Sequence, residues 1–236
     1  MSIKMVLFDL DGTLLPMDQE VFIKAYFGGL ARKLVPHGYD KDTLIKGIWT
    51  GTAAMVKNNG EKLNEAVFWD EFCKICGEGA INDIPLFDEF YANDFCRVKD
   101  SCGYNEKAAQ IVRELKEMGL SVALATNPLF PATATEQRIS WTGLTYDEFE
   151  YFTHYENSRY CKPNLDYYRD VMSILKVSPD ECLMVGNDVG EDMIAEQLGC
   201  KVFLITACII NKENKDISVY PHGDFDDLLA YIKEIF

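Results

Sequence analysis

With 236 residues, 48% of them hydrophobic and 26% charged, the chain is long enough for one large domain or for a core with a smaller companion. A formal net charge of −15 argues against a concentrated basic face, so no nucleic-acid partner is expected. No apolar run approaches the roughly 18–20 residues of a membrane span, and Met1-Ser2-Ile3-Lys4 leads into the first apolar run without a secretory signal pattern, so a cytoplasmic protein with no membrane partner is expected.

That first run, Met5-Val6-Leu7-Phe8, has the length of a fully buried strand and stops at Asp9. Asp11 follows two residues later, then Gly12 and Thr13. Open α/β sheets place their ligands at the carboxyl ends of strands, which is where Asp9 stands. Two carboxylates so close repel each other and call for a cation, a shifted pKa, or both. Gly12 lets the backbone turn sharply enough to aim both side chains and the exposed loop amides at one point.

Beyond Leu15 the texture becomes helical. Val21, Phe22, Ala25, Tyr26, Leu30 and Leu34 keep the spacing of an amphipathic helix. Leu44, Ile45, Ile48 and Trp49 begin a second, which Gly47 and Gly51 are expected to loosen. Asn64 is placed to cap a third helix and Pro85 to open a fourth. Four helices with no strand between them suggest a small helical bundle over residues 16–100, inserted after the first strand, with Trp49 and Trp69 in its core. Cys73 and Cys76 form C-x-x-C without a second pair or a nearby His, so they read as two turns of one helix face. The eight cysteines as a whole show no compact disulfide framework, and reduced thiols are expected.

From about Ser101 a strand–helix alternation typical of a parallel sheet takes over. A helical stripe from Ala108 to Met118 precedes the strand Leu120–Ala125, which ends at Thr126-Asn127-Pro128. A helix follows Pro131, a short strand is expected at Glu150–Thr153, and Pro163 stands near the start of another helix. Cys182–Val185 is a strand ending in Gly186-Asn187-Asp188, Glu191–Leu198 reads as a helix, and Lys201–Ile205 is the last clear strand. Residues 211–224 are polar and irregular, and a helix carrying Leu228 and Ile232 closes the chain. The expected fold class is α/β: a Rossmann-like parallel sheet flanked by helices, built from residues 1–15 and 101–236, with residues 16–100 as an all-helical cap.

Several strands thus end in groups that can meet at one ligand: Asp9 and Asp11, then Thr126 and Asn127, then Asp188 with its acidic neighbours, while Lys162 arrives in a loop. A carboxylate nucleophile, an acid/base, hydroxyl and amide donors, one cation and a set of metal-binding carboxylates are the parts that phosphoryl transfer through an aspartyl phosphate requires. With these four segments in order, the chain resembles the haloacid dehalogenase superfamily in its phosphatase branch. The pattern there is D-x-D-G-T, a strand ending in Ser or Thr, a Lys, and a final acidic motif.

The resemblance implies a hydrolase of a small phosphorylated metabolite that uses Mg²⁺. It makes Asp9 the nucleophile and Asp11 the group that protonates the leaving oxygen and later activates water. Leu10, Thr126 and Asn127 would bind phosphate oxygens, and Lys162 would hold the nucleophile and the transferring charge. The metal would fall to Asp9, the backbone carbonyl of Asp11, and Asp188. Here the chain departs from the usual Gly-Asp: Asn187 occupies the acidic place by alignment on Gly186, while Asp188 is preferred as the ligand by charge. Asn187 could still bind through its carbonyl, Asp192 would be a second ligand or stand behind the first, and Glu191 suits either the site or a helix start. A phosphomutase shares these residues, and a phospho-receiver module shares many of them but would leave Asp11 without a task. A phosphonate hydrolase would need a cap lysine such as Lys57 or Lys62.

Overall fold

The run Met5–Phe8 forms strand β1, buried along its whole length, in the computed structural model, which describes residues 2–236. Helices α1 (Gln19–Leu34), α2 (Lys41–Val56), α3 (Asn64–Cys76) and α4 (Ile84–Asn93) follow, then a 3-10 segment over Phe95–Ser101. Next come α5 (Glu106–Glu117), β2 (Ser121–Leu124), α6 (Ala132–Trp141), α7 (Leu165–Leu175), β3 (Cys182–Gly186), β4 (Lys201–Ile205), a short β5 (His222–Gly223) and α8 (Phe225–Ile235). The sheet is parallel throughout, in the order β2-β1-β3-β4-β5. Crossovers of one hand put helices on both faces and bring every strand's carboxyl end to one rim.

Alternation along β1 splits the core in two. Val6 and Phe8 belong to an apolar cluster with α5, α6 and α8, whereas Met5 and Leu7 belong to one with Tyr168, Val171 and Met172 of α7. The first cluster continues without a break into Phe22, Leu30, Phe72 and Phe90 of the helices between β1 and α5. The helical segment and the sheet therefore share one apolar body on that face. No helix among the described residues is long and apolar enough to cross a membrane.

Local chemistry accounts for the element ends. Asp18 caps α1 by accepting from the Glu20 and Val21 amides, Asp40 caps α2, and Asn105, Asn164 and Asp224 do the same for α5, α7 and α8. Asn64 behaves differently from expectation. It is the first residue of α3, not its cap, and its fully buried amide accepts from Asn58 Nδ2 at 2.8 Å and faces Cys161 Sγ at 3.3 Å. The Asn64 and Glu65 amides donate to the Ser158 and Tyr155 carbonyls, so the start of α3 is tied to the loop that leads to Lys162.

Other differences have physical causes. The strand expected at Glu150–Thr153 is reduced to one bridge between Leu124 and Phe152. The helix expected from Glu191 begins only at Met193, as a 3-10 turn, because the Glu191 and Asp192 side chains are engaged with Asn127 and Lys162. Trp49 is 49% exposed instead of in the core, with its ring against Phe27.

Gly47 and Gly51 do not loosen α2, which runs unbroken through both. They form the bare face against which α3 packs. A Cβ at Gly47 would lie 2.7 Å from Cys76 Sγ and 2.9 Å from Phe72 Cδ2, and one at Gly51 would lie 2.6 Å from Phe68 Cδ2. Alanine at 51 would gain about 1 kcal/mol of helix propensity but lose about 1–3 kcal/mol to overpacking. Gly51→Ala is thus expected to lower the urea midpoint, and a raised midpoint would show that α2 and α3 are less closely packed.

Candidate active site

Asp9 follows the last residue of β1, and its amide donates to the Val185 carbonyl at 2.8 Å, which fixes its place beside β3. Its carboxylate is nearly buried, at 7% exposure. Thr13 Oγ1 stands 3.1 Å from Asp9 Oδ2 and 3.0 Å from Asn187 Oδ1, one hydroxyl proton for two acceptors. Asn187 Nδ2 donates to the Cys208 carbonyl at 2.6 Å. The Asn187 amide thus spans the loops after β1, β3 and β4. Gly12 makes room for it: φ is +90° there, and a Cβ would meet Asn187 Nδ2 at 2.3 Å.

Lys162 is the cation that answers Asp9. Its ammonium, 1% exposed as a residue, donates to Asp9 Oδ1 at 2.9 Å and to Asp192 Oδ1 at 2.6 Å. Burial alone would push this ammonium down, but the Asp192 and Asp9 charges outweigh it and hold Lys162 well above its ordinary value. Burial pushes the Asp192 carboxyl up, against the pull of Lys162. Asp192 Oδ2 also accepts from the Asp188 amide at 2.9 Å, so both its oxygens are engaged. Gly186 permits this approach, since a Cβ there would stand 2.1 Å from Asp192 Oδ2.

Asp188 lies half-buried at the same rim, its Oδ1 accepting from the Gly190 and Glu191 amides at 2.7 and 2.9 Å. The two-residue question at this motif thus has a geometric aspect: Asn187 is committed to Thr13 and Cys208, whereas Asp188 keeps one oxygen without a hydrogen bond among the described residues. Thr126 is buried, and its carbonyl accepts from Thr153 Oγ1 and the Tyr167 hydroxyl. Asn127 Nδ2 donates to Glu191 Oε2 at 2.9 Å, while Asn127 Oδ1 is buried with no partner. Burial raises the Glu191 carboxyl, opposed by Lys162 and reinforced by Asp188. Leu10 is fully buried and its carbonyl accepts from the Thr13 and Leu15 amides, so its own N–H is what it can offer a ligand.

Arg138 is a member of the site that sequence reasoning missed. It projects from α6, is 1% exposed, and forms an ion pair through Nη1 with Asp11 Oδ2. Its guanidinium carbon lies 4.5 Å from the Phe130 ring centre, and Nη2 donates to Thr135 Oγ1 at 3.2 Å. Burial pushes the Asp11 carboxyl up, Arg138 pulls it down, the Asp9 charge pushes it up again, and the outcome is a raised value. The dominant cause is burial, where repulsion from Asp9 is the expected one. A signal did exist in the sequence: Ala134, Arg138 and Trp141 recur at the spacing of one buried helix face.

Asp9, Asp11, Thr126, Asn127, Asn187, Asp188, Glu191 and Asp192 all line one cavity of about 400 Å³, walled on the other side by α1, α2 and α3. Ile210 and Lys212 also line it, from a segment that gave no functional signal in the sequence. Lys57 is exposed and Lys62 pairs with Asp70 at 2.7 Å on the surface, so neither cap lysine reaches the cavity. The donors at the rim are hard oxygens, with an orphaned Asn127 Oδ1 and more carboxylates than cations, which suits a divalent cation of the Mg²⁺ kind. Among the described residues no three His, Cys, Asp or Glu side chains form a ready cage. Mg²⁺ does not need one, since it keeps several waters and commonly takes only one or two carboxylates besides substrate phosphate.

A family model described as haloacid dehalogenase-like hydrolase matches residues 3–199. No curated protein sequence matches the chain. Among solved structures, a predicted phosphoglycolate phosphatase from Haemophilus somnus 129pt is similar at 18% identity, with 97% of each chain covered and a TM-score of 0.59. A HAD-hydrolase from Bacillus subtilis, bound to magnesium, is similar at 16% identity over 99% of this chain and 100% of that one, with a TM-score of 0.57. The L-2-haloacid dehalogenase from Xanthobacter autotrophicus gives 20% identity, coverage of 89% and 80%, and a TM-score of 0.52. At these identities the neighbours share the fold, and they include both phosphatases and dehalogenases. The family match, spanning most of the sequence, says more: the chain belongs to the haloacid dehalogenase-like hydrolases.

Proposed function

We propose that the protein is a Mg²⁺-dependent phosphomonoesterase acting on a small phosphorylated metabolite, with residues 16–100 serving as a cap over a catalytic core of residues 1–15 and 101–236. The observation that carries this reading is the placement of Asp11: a second carboxyl, held by Arg138, that lines the same cavity as Asp9 two residues away. A leaving alkoxide must be protonated, and a carboxyl that shares the cavity with the nucleophile is placed to do so. Halide departure needs no proton, so a dehalogenase would leave Asp11 without work.

An Asp9 oxygen attacks phosphorus in line, the bond from phosphorus to the ester oxygen breaks, and Asp11 gives its proton to that oxygen. Water then attacks the aspartyl phosphate, Asp11 takes the water's proton, and inorganic phosphate leaves with Asp9 restored. Lys162 balances the Asp9 charge that would otherwise repel a phosphate dianion. The Leu10 amide, Thr126 and Asn127 supply donors to the phosphoryl oxygens. Mg²⁺ would be held by Asp9, the Asp11 carbonyl and Asp188, with Asn187 and Asp192 behind them, and would supply Lewis-acid stabilisation of the transferring charge. Arg138 is a positioning residue that holds the Asp11 carboxyl in the cavity wall.

A chromogenic phosphate monoester tests the reading directly. Hydrolysis is expected with Mg²⁺ and is expected to stop on chelation, with Asp9→Asn losing more than about 10³ in kcat. Release of chloride from 2-chloropropionate in place of phosphate release would overturn it. Asp11→Asn is expected to lower multiple-turnover kcat by about 10²–10⁴, the usual worth of acid–base catalysis. An unchanged kcat would remove Asp11 from the mechanism.

Arg138→Leu should destabilise the fold by roughly 3 kcal/mol, since it leaves Asp11 without its cation. It should also lower kcat with KM little changed. Arg138→Lys should restore part of both, and a normal kcat in folded Arg138→Leu would show that the guanidinium only fills space.

A further inference from the structure

We propose that the group released at this site is an apolar, aromatic alcohol, so that the substrate is the phosphate monoester of an arylalkyl alcohol. The proposal rests on the phosphomonoesterase reading and specifies its substrate class. The cavity that begins at Asp9 continues between the helices after β1, where Phe22, Phe27, Trp49, Phe68 and Trp69 line it together with Phe130 from the loop after β2. Its volume of about 400 Å³ falls in the range of small-molecule sites, with room for a ring beside a phosphate.

Charge and hydrogen-bonding capacity narrow the class. Lys212 is the only cationic residue among those lining the cavity, and five carboxylate residues stand at its polar end. A leaving group with its own carboxylate or second phosphate would meet five carboxylates there for the one cation, Lys212. Among the polar side chains away from the carboxylates, the Tyr26 and Tyr91 hydroxyls are spent on each other at 2.7 Å, which leaves few, Gln19 and Thr52 among them, to meet sugar hydroxyls. Rings, by contrast, meet rings. Phe27 and Trp49 cross at 60° with centroids 5.4 Å apart, and Phe68 and Trp69 at 87° and 5.3 Å, the edge-to-face geometry that receives a further aromatic.

The test pairs esters of similar intrinsic reactivity. With Mg²⁺, 2-phenylethyl phosphate is expected to exceed ethyl phosphate in kcat/KM by at least about tenfold, the worth of burying a phenyl group. Phosphoglycolate and glucose 6-phosphate are expected to fall below both. Trp49→Ala, at a half-exposed position, and Phe27→Leu should each bring the ratio of kcat/KM for 2-phenylethyl over ethyl phosphate down toward one. Tryptophan fluorescence on Asp9→Asn gives a readout without turnover: 2-phenylethyl phosphate should bind at least about tenfold tighter than ethyl phosphate. Equal rates and equal binding for the two esters, or a preference for phosphoglycolate, would overturn the aromatic assignment while leaving the esterase reading intact. Selective binding of the phenyl ester with no ester hydrolysed would overturn the esterase reading, and with it the assignment of a substrate.

Discussion

One ammonium shared by two buried carboxylates holds this site together. Lys162 lies between Asp9 after β1 and Asp192 after β3, at 2.9 and 2.6 Å, and the three come from segments far apart in sequence. Two carboxylates on one ammonium leave a negative remainder in a poorly solvated place. Removing Lys162 would leave two buried carboxylates facing each other with no cation, a far larger cost than the net worth of the intact set. The arrangement is therefore a constraint on register more than a source of stability. It requires β1 and β3 to be neighbours and the loop after Tyr160 to reach back over them.

A second ion pair sets the two aspartates of the opening motif apart. Asp9 is answered by Lys162, Asp11 by Arg138, and each acid leans toward a different wall of the cavity. Two carboxylates two residues apart thus acquire separate environments, one paired with a buried ammonium and the other with a guanidinium. Local sequence decides that both acids are present, while α6 and the Lys162 loop decide how they differ.

Much of the fold was legible because the signals were periodic. The strands β1, β2, β3 and β4 are short apolar runs ending in polar residues, and α1 and α5 repeat apolar residues at helical spacing. Where the reading failed, tertiary partners decided. Gly47 and Gly51 look like helix breakers until Phe68 and Phe72 are set against them. Asn64 looks like a cap until its amide is seen pointing at Asn58 and Cys161. The candidate site residues on strand ends could be named because a parallel sheet gathers such ends. Arg138 could not, because a helix interior does not announce which loop it will face, and Ile210 and Lys212 carry no periodic or motif signal at all.

Gly186 has an evolutionary side. Any side chain there would occupy the space of the Asp192 carboxylate, and shortening Asp192 would leave Lys162 with Asp9 alone and the Asp188 amide without its acceptor. The glycine is therefore free to change only after the acid has gone. Descendants of this chain should keep the glycine wherever they keep the acid.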